Sequence, residues 1–469
     1  MNDARPEKNP IYWFYGSASV AFGIKNNAFS YLLLIYSTQV LGIPGYLAAL
    51  ALAVAMAWDA VSDLFLGHWS DKTQSRMGRR HPFMYAGFIM LPLSFYALFN
   101  PVIELTEANS WGYLLVTAIL IRTAVTLVEV PSVALLPDLV KDYDERNKWL
   151  VLRHAFGWYG GNGIHVINMA FWVGAFGVAS QAGYSIYGLA GALIIAASIL
   201  ISSLGTQKIA AAMPQPSEPF RFREIWYEIK QIAQSVKNAN FFWLFVYSLV
   251  VGAAGGMSTA LYLYNVTYFF AFTGPQIAIT GVFVFASPAV AYFLAPALGK
   301  ALGKKQAAVA ALLGAIFLYP IPYLLTLAGY WPESGSWNSL IFYSIFVMTE
   351  VIGFIVGGVM LDSMMADVVE DSEVQTSRRS EGLFYAARSF ASKAVSALGI
   401  ILAGSIVSLV GMDGIKGVAD MTDVMRGDLA SFFLPAYCGL YFFAIYLISK
   451  YKIDRQQHQT NLEALAKKG

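Results

Sequence analysis

The sequence predicts an all-α membrane protein of twelve helical spans arranged as two related halves. Composition, the spacing of apolar runs and the one-sided placement of basic residues all point that way. Hydrophobic residues fill 57% of 469 positions and charged residues only 13%, against roughly 45–50% and 25% in soluble domains.

Runs of about 20 or more mainly apolar residues, long enough to cross a bilayer, fall near 12–41, 44–70, 81–101, 110–137, 149–177, 182–204, 239–271, 275–299, 305–330, 338–366, 381–411 and 429–450. The first nine residues are polar and no cleavage site follows a short apolar core, so the first span is expected to stay in the mature chain. Between the sixth and seventh spans, Pro214, Pro216 and Pro219 precede an amphipathic stretch from Phe222 to Val236. The expected organisation is therefore a six-helix bundle over 1–206, a cytoplasmic linker with a surface helix over 207–238, and a second bundle with a tail over 239–469.

Most of the 31 basic residues lie at the N-terminus, in the even-numbered connections and in the tail, whereas Lys416 and Arg426 sit in opposite loops. The positive-inside rule then places both termini in the cytoplasm, with a bacterial inner (plasma) membrane as the expected location. A net charge of +2 suggests no nucleic-acid or other polyanionic partner, and the lone Cys438 excludes an internal disulfide. No phosphate-binding glycine loop, HExxH or serine elbow appears, so neither an enzyme nor a cofactor is expected. A twelve-span bundle encloses its own pathway, which suggests a monomer.

Asp59 and Asp63 interrupt the second span. A carboxylate in the bilayer costs a few kcal/mol on insertion scales and persists where it faces a cavity, an ion or a partner. Four residues apart on a helix, the two lie about 40° from each other and can converge on one cation. Sodium is a hard cation that prefers oxygen, which Asp59, Ser62, Asp63 and Thr126 can supply; a proton needs only one of the carboxylates. The competing reading is salt bridging to helix cations such as Arg122 or Lys393. Arg122, Thr126 and Glu129 share one face of the fourth span. That face reads as the lining of a central cavity, the alternative being an internal Arg122–Glu129 pair.

An internal repeat links the halves. Gly67-His-Trp-Ser-Asp71-Lys72, followed by Gly78-Arg79-Arg80, joins spans two and three, and Gly299-Lys300-Ala-Leu-Gly303-Lys304-Lys305 joins eight and nine. The first segment resembles the loop signature of the major facilitator superfamily. Trp58-Asp59-Ala60-Val61-Ser62-Asp63 resembles the second-helix sodium motif of the glycoside–pentoside–hexuronide:cation symporter family, to which melibiose permease belongs. The resemblance continues through Thr126-Leu-Val-Glu129-Val-Pro131, Arg153, Ala366-Asp367-Val-Val-Glu370 and Glu381-Gly-Leu-Phe-Tyr385-Ala-Ala-Arg388-Ser389-Phe-Ala-Ser-Lys393.

The resemblance implies a twelve-span fold of two pseudo-symmetric bundles and cation-coupled symport of a sugar or glycoside. Asp59, Ser62, Asp63 and Thr126 would take the ion, the two aspartates holding Na+ if sodium is used. Lys25, Asn26, Glu129, Arg153, Arg388, Ser389 and Lys393 would face the substrate. By position, Asp367 and Glu370 at the cytoplasmic end beside Arg378 and Arg379, with Asp71, Lys72 and Arg79 as counterparts in the first half, are expected to form salt-bridge gates. The sequence departs from melibiose permease at Lys25-Asn26-Asn27, where an aspartate is missing, at Val133 and Gly358, which replace tryptophans, and at Arg388, which replaces an amide. Fewer aromatic faces and more guanidinium groups favour an anionic sugar such as a uronide; a symporter for a lysolipid or other amphiphile is the alternative. Glu350 matches no family position, and for it a buried ion pair with a neighbouring helix stands beside a substrate contact; His165, Asn162 and Asn168 are expected to bond across helices, with substrate binding as the alternative.

Overall fold

The structure is a computed structural model that describes residues 10–140, 142–213, 238–376, 397–453 and 455–466. The expected surface helix over 222–236 lies outside these residues, as do Arg378, Arg379, Arg388, Ser389 and Lys393.

Every regular element among the described residues is helical: α1 (Pro10–Asn27), α2 (Leu33–Gln39), α3 (Gly45–Lys72), α4 (His81–Phe99), α5 (Ser110–Ala134), α6 (Leu136–Leu139), α7 (Tyr143–Phe171), α8 (Val173–Phe176), α9 (Gln181–Ala211), α10 (Ala239–Tyr264), α11 (Gly274–Leu302), α12 (Lys304–Leu318), α13 (Ile321–Leu327), α14 (Trp337–Thr376), α15 (Ala397–Val410), α16 (Asp423–Ser449) and α17 (Arg455–Ala466). Nine of the described helices are long and apolar enough to cross a membrane. The other three expected spans correspond to α1 with α2, to α7 with its charged first turns, and to α15, whose upstream part is not described. Helix α9 runs to Ala211, past the expected end of the first bundle at 206, since no proline interrupts it before Pro214.

Two compact units result. The first comprises Met1–Ile225 with Thr273–Gly281 and Asp413–Gly417; the second comprises Trp226–Phe272, Val282–Met412 and Val418–Gly469. In the first unit α1 packs on α7 and α9, α3 on α5, and α4 on α5 and α9. A Cβ at Gly23 would lie 2.0 Å from the carbonyl oxygen of Gly157, so α1 and α7 meet backbone to backbone. In the second unit α10 packs on α16, α12 on α14 and α16, and α17 on α14. Polar caps fix where the charged ends begin: Asp142 accepts from the Glu145 amide at 2.9 Å and Thr422 from the Met425 amide at 3.2 Å.

The repeat extends beyond the loop sequence. The first span of each half contains one π-helical stretch, Ala28–Leu32 and Asn265–Phe269. Such wider turns shift the register of the side chains that follow. Gly303, with φ +84°, turns the chain sharply between α11 and α12, a conformation that a side chain would strain.

Candidate functional site

Packing of α3 against α5 brings together the four oxygen-bearing residues that the sequence singles out. Thr126 Oγ1 is their centre: it donates to Asp63 Oδ1 at 2.9 Å, and lies 3.2 Å from Ser62 Oγ and 3.4 Å from Asp59 Oδ1. Asp59, Ser62 and Thr126 are buried and Asp63 is half-buried. Their spacing follows from helix geometry, since 59, 62 and 63 share one face of α3, which meets the 122–126–129 face of α5. Four oxygens, two of them anionic, around one point suit a hard monovalent cation or a proton.

Arg122 enters the same cluster. Its Nη1 lies 3.5 Å from Asp59 Oδ2, and its guanidinium covers the Phe29 ring at 4.1 Å from the centroid. Phe29 sits on the π-helical stretch, so this local widening supplies the ring that backs the arginine. Both charges of the pair are buried, an arrangement that the mutual attraction compensates only with good geometry. The salt-bridge alternative for Asp59 is therefore realised with Arg122. The alternative Arg122–Glu129 ion pair is not formed; Glu129 is half-buried and makes no side-chain hydrogen bond or ion pair among the described residues.

The other expected substrate residues distribute unevenly. Lys25 is buried and Asn26 exposed on α1. Arg153 is buried, donating from Nη1 to Ser132 Oγ at 3.1 Å, with the Phe22 ring 5.1 Å and the Tyr15 ring 5.7 Å away. One guanidinium nitrogen is thus held by a neutral hydroxyl between two aromatic rings, while Arg388, Ser389 and Lys393 lie outside the described residues. Asn162 donates to the Trp158 carbonyl at 3.0 Å and Asn168 accepts from the Val173 amide at 3.3 Å, so both bond locally, while His165 lies against the Tyr31 ring at 5.2 Å.

The residues expected as gates form two clusters, one in each unit. In the first unit Asp138 receives Arg79 Nη2 at 2.8 Å and Arg80 Nη1, while Arg80 Nη2 reaches Asp71 at 2.8 Å. Arg80 and Asp138 thus join the expected Asp71 and Arg79; nothing in the spacing of Asp138 along the sequence marks it as a partner. In the second unit Lys304 Nζ lies 2.6 and 2.8 Å from the Asp367 oxygens. His458 on α17 adds contacts to Asp367 at 3.3 Å and Glu370 at 3.0 Å. Tyr451 also bonds Asp367 at 3.4 Å, and burial with the adjacent carboxylate pushes its phenol up, keeping it a donor. In both units a cation from the glycine-turn loop meets a carboxylate two helices on, so the sequence repeat is also a repeat of ion pairs.

A family model described as "MFS/sugar transport protein" matches residues 14–455. The uncharacterised symporter sll1374 of Synechocystis sp. is 35% identical over 147 residues, covering 30% of this chain and 27% of that one. The isoprimeverose transporter of Lactiplantibacillus pentosus is 24% identical over 86% of this chain and 82% of its own length. Among solved structures, the xylose transporter XylE of E. coli superposes with a TM-score of 0.60 at 13% identity, covering 95% of this chain and 99% of that one, a likeness of fold. These relatives are transporters rather than enzymes, and the twelve-span reading, the paired loops and the whole-length match agree: the chain belongs to the MFS/sugar transport protein family.

Proposed function

We propose that this protein is a secondary transporter that couples movement of a sugar or glycoside to a cation, Na+ or H+, by alternating access. The observation that carries this is the convergence of Asp59, Ser62, Asp63 and Thr126 on one buried point. Two carboxylates held this close are stable only when a cation, a proton or Arg122 offsets their charge. A transported cation can therefore take over the role that Arg122 plays at Asp59, and the guanidinium so released changes the field at Glu129, two turns along the same face of α5. That exchange is the coupling step, and Glu129, with Lys25 and Asn26, is the candidate sugar-contacting set. The clusters at Asp71–Arg79–Arg80–Asp138 and Lys304–Asp367–Glu370–His458, with Lys72 beside the first, are the cytoplasmic gates. The working unit in this reading is a monomer in a bacterial inner membrane with both termini in the cytoplasm.

The test is uptake by proteoliposomes under an imposed sodium or pH gradient, with pentosides, hexosides, their uronic acids and lysolipids as competitors. Gradient-dependent uptake inhibited by a sugar supports the reading; competition by lysolipids alone overturns the sugar assignment.

Ser62→Ala is expected to lower sodium activation about two- to tenfold, the range for loss of one neutral oxygen contact, and to affect proton dependence less. Unchanged sodium activation would remove Ser62 from the ion's ligands. Arg153→Lys is expected to weaken a neutral glycoside and its uronic acid alike, about two- to tenfold, through lost packing around Ser132. A loss confined to the uronic acid would return Arg153 to direct contact with an anionic substrate.

A further inference from the structure

Glu350 on α14 has no counterpart in the cation site of the first unit, yet it is an acidic side chain inside the second helical bundle. Ser258 Oγ on α10 donates to its Oε1 at 3.2 Å and the Tyr437 hydroxyl on α16 donates to the same oxygen at 3.2 Å. Ser258 Oγ is also 3.3 Å from the Tyr319 hydroxyl, which lies 3.3 Å from that of Tyr323. Tyr319, Tyr323, Tyr343, Tyr437 and Tyr441 are all buried, and Glu350 is in electrostatic reach of Tyr319, Tyr343, Tyr437 and Tyr441.

Each helix packed around Glu350 thus presents hydroxyls: α10 through Ser258, α12 and α13 through Tyr319 and Tyr323, α16 through Tyr437 and Tyr441, and α14 itself through Tyr343. Among the described residues no Lys, Arg or His forms an ion pair with Glu350. Both donors converge on Oε1, and no described donor reaches Oε2. Glu350 is half-buried, and an arrangement in which one oxygen accepts both bonds leaves the other able to carry a proton. Half-buried among hydroxyls and aromatic rings, a carboxylate here loses part of its hydration with no described cation to offset it, which favours the protonated form.

We propose that Glu350 is a proton-binding site of the second unit, separate from the Asp59–Asp63 cluster, taking its proton from water and returning it there as the transporter turns over. The chain of hydroxyls from Ser258 to Tyr323 holds the acid in place and orients its accepting oxygen. This site gives the protein a proton dependence even when sodium fills the first-unit cluster.

Infrared difference spectroscopy on the full-length protein in lipid nanodiscs, titrated from acid to alkaline pH, tests the proposal without any substrate. The parent should show a protonated-carboxyl C=O band that converts to carboxylate at alkaline pH. Glu350→Gln should lose that band while Asp63→Asn keeps it, and Glu350→Asp should retain a band at a shifted frequency. Identical acid bands in the parent and Glu350→Gln overturn the proposal. So does loss, in that variant, of a carboxylate signal already present at acid pH, which would assign Glu350 to an ion pair with Arg388 or Lys393. Sugar exchange assayed in saturating sodium gives an independent readout. Its pH dependence should flatten in Glu350→Gln, and an unchanged profile would count against a proton used in the cycle. Failure of sodium coupling at Asp63 would leave both readouts intact.

Discussion

Asp63→Asn is expected to abolish accumulation of substrate above its outside concentration while leaving equilibrative exchange measurable. Asp63 meets the cluster through Thr126 Oγ1, at 2.9 Å, and a carboxamide of the same shape keeps an oxygen for that hydroxyl. What it loses is the negative charge that draws the ion, and with it the differential affinity through which ion and substrate help each other bind. Asp59→Asn should lose accumulation as well, with one distinguishing addition. Asp59 is the ion-pair partner of buried Arg122, so neutralising it leaves the guanidinium with only the weaker attraction of Glu129 and Asp63, a change that destabilises the fold. The Asp59 variant should therefore unfold at lower temperature than the Asp63 variant in the same sodium concentration. Uptake against a gradient and thermal unfolding, measured on both, check the two halves of this expectation; undiminished uphill transport in both variants would remove the aspartate pair from coupling.

The spans were legible because a bilayer imposes length and apolarity on every helix, and the ion cluster because spacings of three and four residues translate directly into a shared helical face. Thr126 meeting Asp63 needed only that α3 and α5 be neighbours, which the family resemblance supplied. Three features had no such signal. The π-helical stretches at Ala28–Leu32 and Asn265–Phe269 insert a register shift that no apolar period reveals. Arg122 had two carboxylates in reach by sequence, Glu129 on its own helix and Asp59 on another; packing against α3 decided for Asp59. Asp138 and His458 joined the gate clusters because chain folding brought them there, Asp138 from a short turn after α5 and His458 from the tail helix. The neighbours of Arg153 were equally unmarked: its charge shows in the sequence, but that Ser132, Tyr15 and Phe22 lie around it does not.

Arg122→Gln is expected to tighten binding of the coupling cation and to make the protein's stability depend on that cation. In the parent, the guanidinium stands 3.5 Å from Asp59 and competes with an incoming ion for the same carboxylate. Its removal deletes the competitor, and every 1.4 kcal/mol of lost competition corresponds to about tenfold in apparent affinity. It also leaves two buried or half-buried carboxylates without their internal counter-charge, so in cation-free buffer the variant should be less stable than the parent by about 3–5 kcal/mol. Sodium or a lower pH should restore that stability, since an ion that binds only the folded state raises it by mass action. Coupling should suffer in the opposite sense to affinity: an ion held more tightly leaves more slowly, so turnover falls even as half-saturation moves to lower sodium. Isothermal titration and thermal unfolding across a sodium series, on the parent and Arg122→Gln, separate these effects. If both proteins bind sodium equally and unfold alike in its absence, the Arg122–Asp59 pair is a fixed structural bridge rather than the tethered competitor of the transported ion.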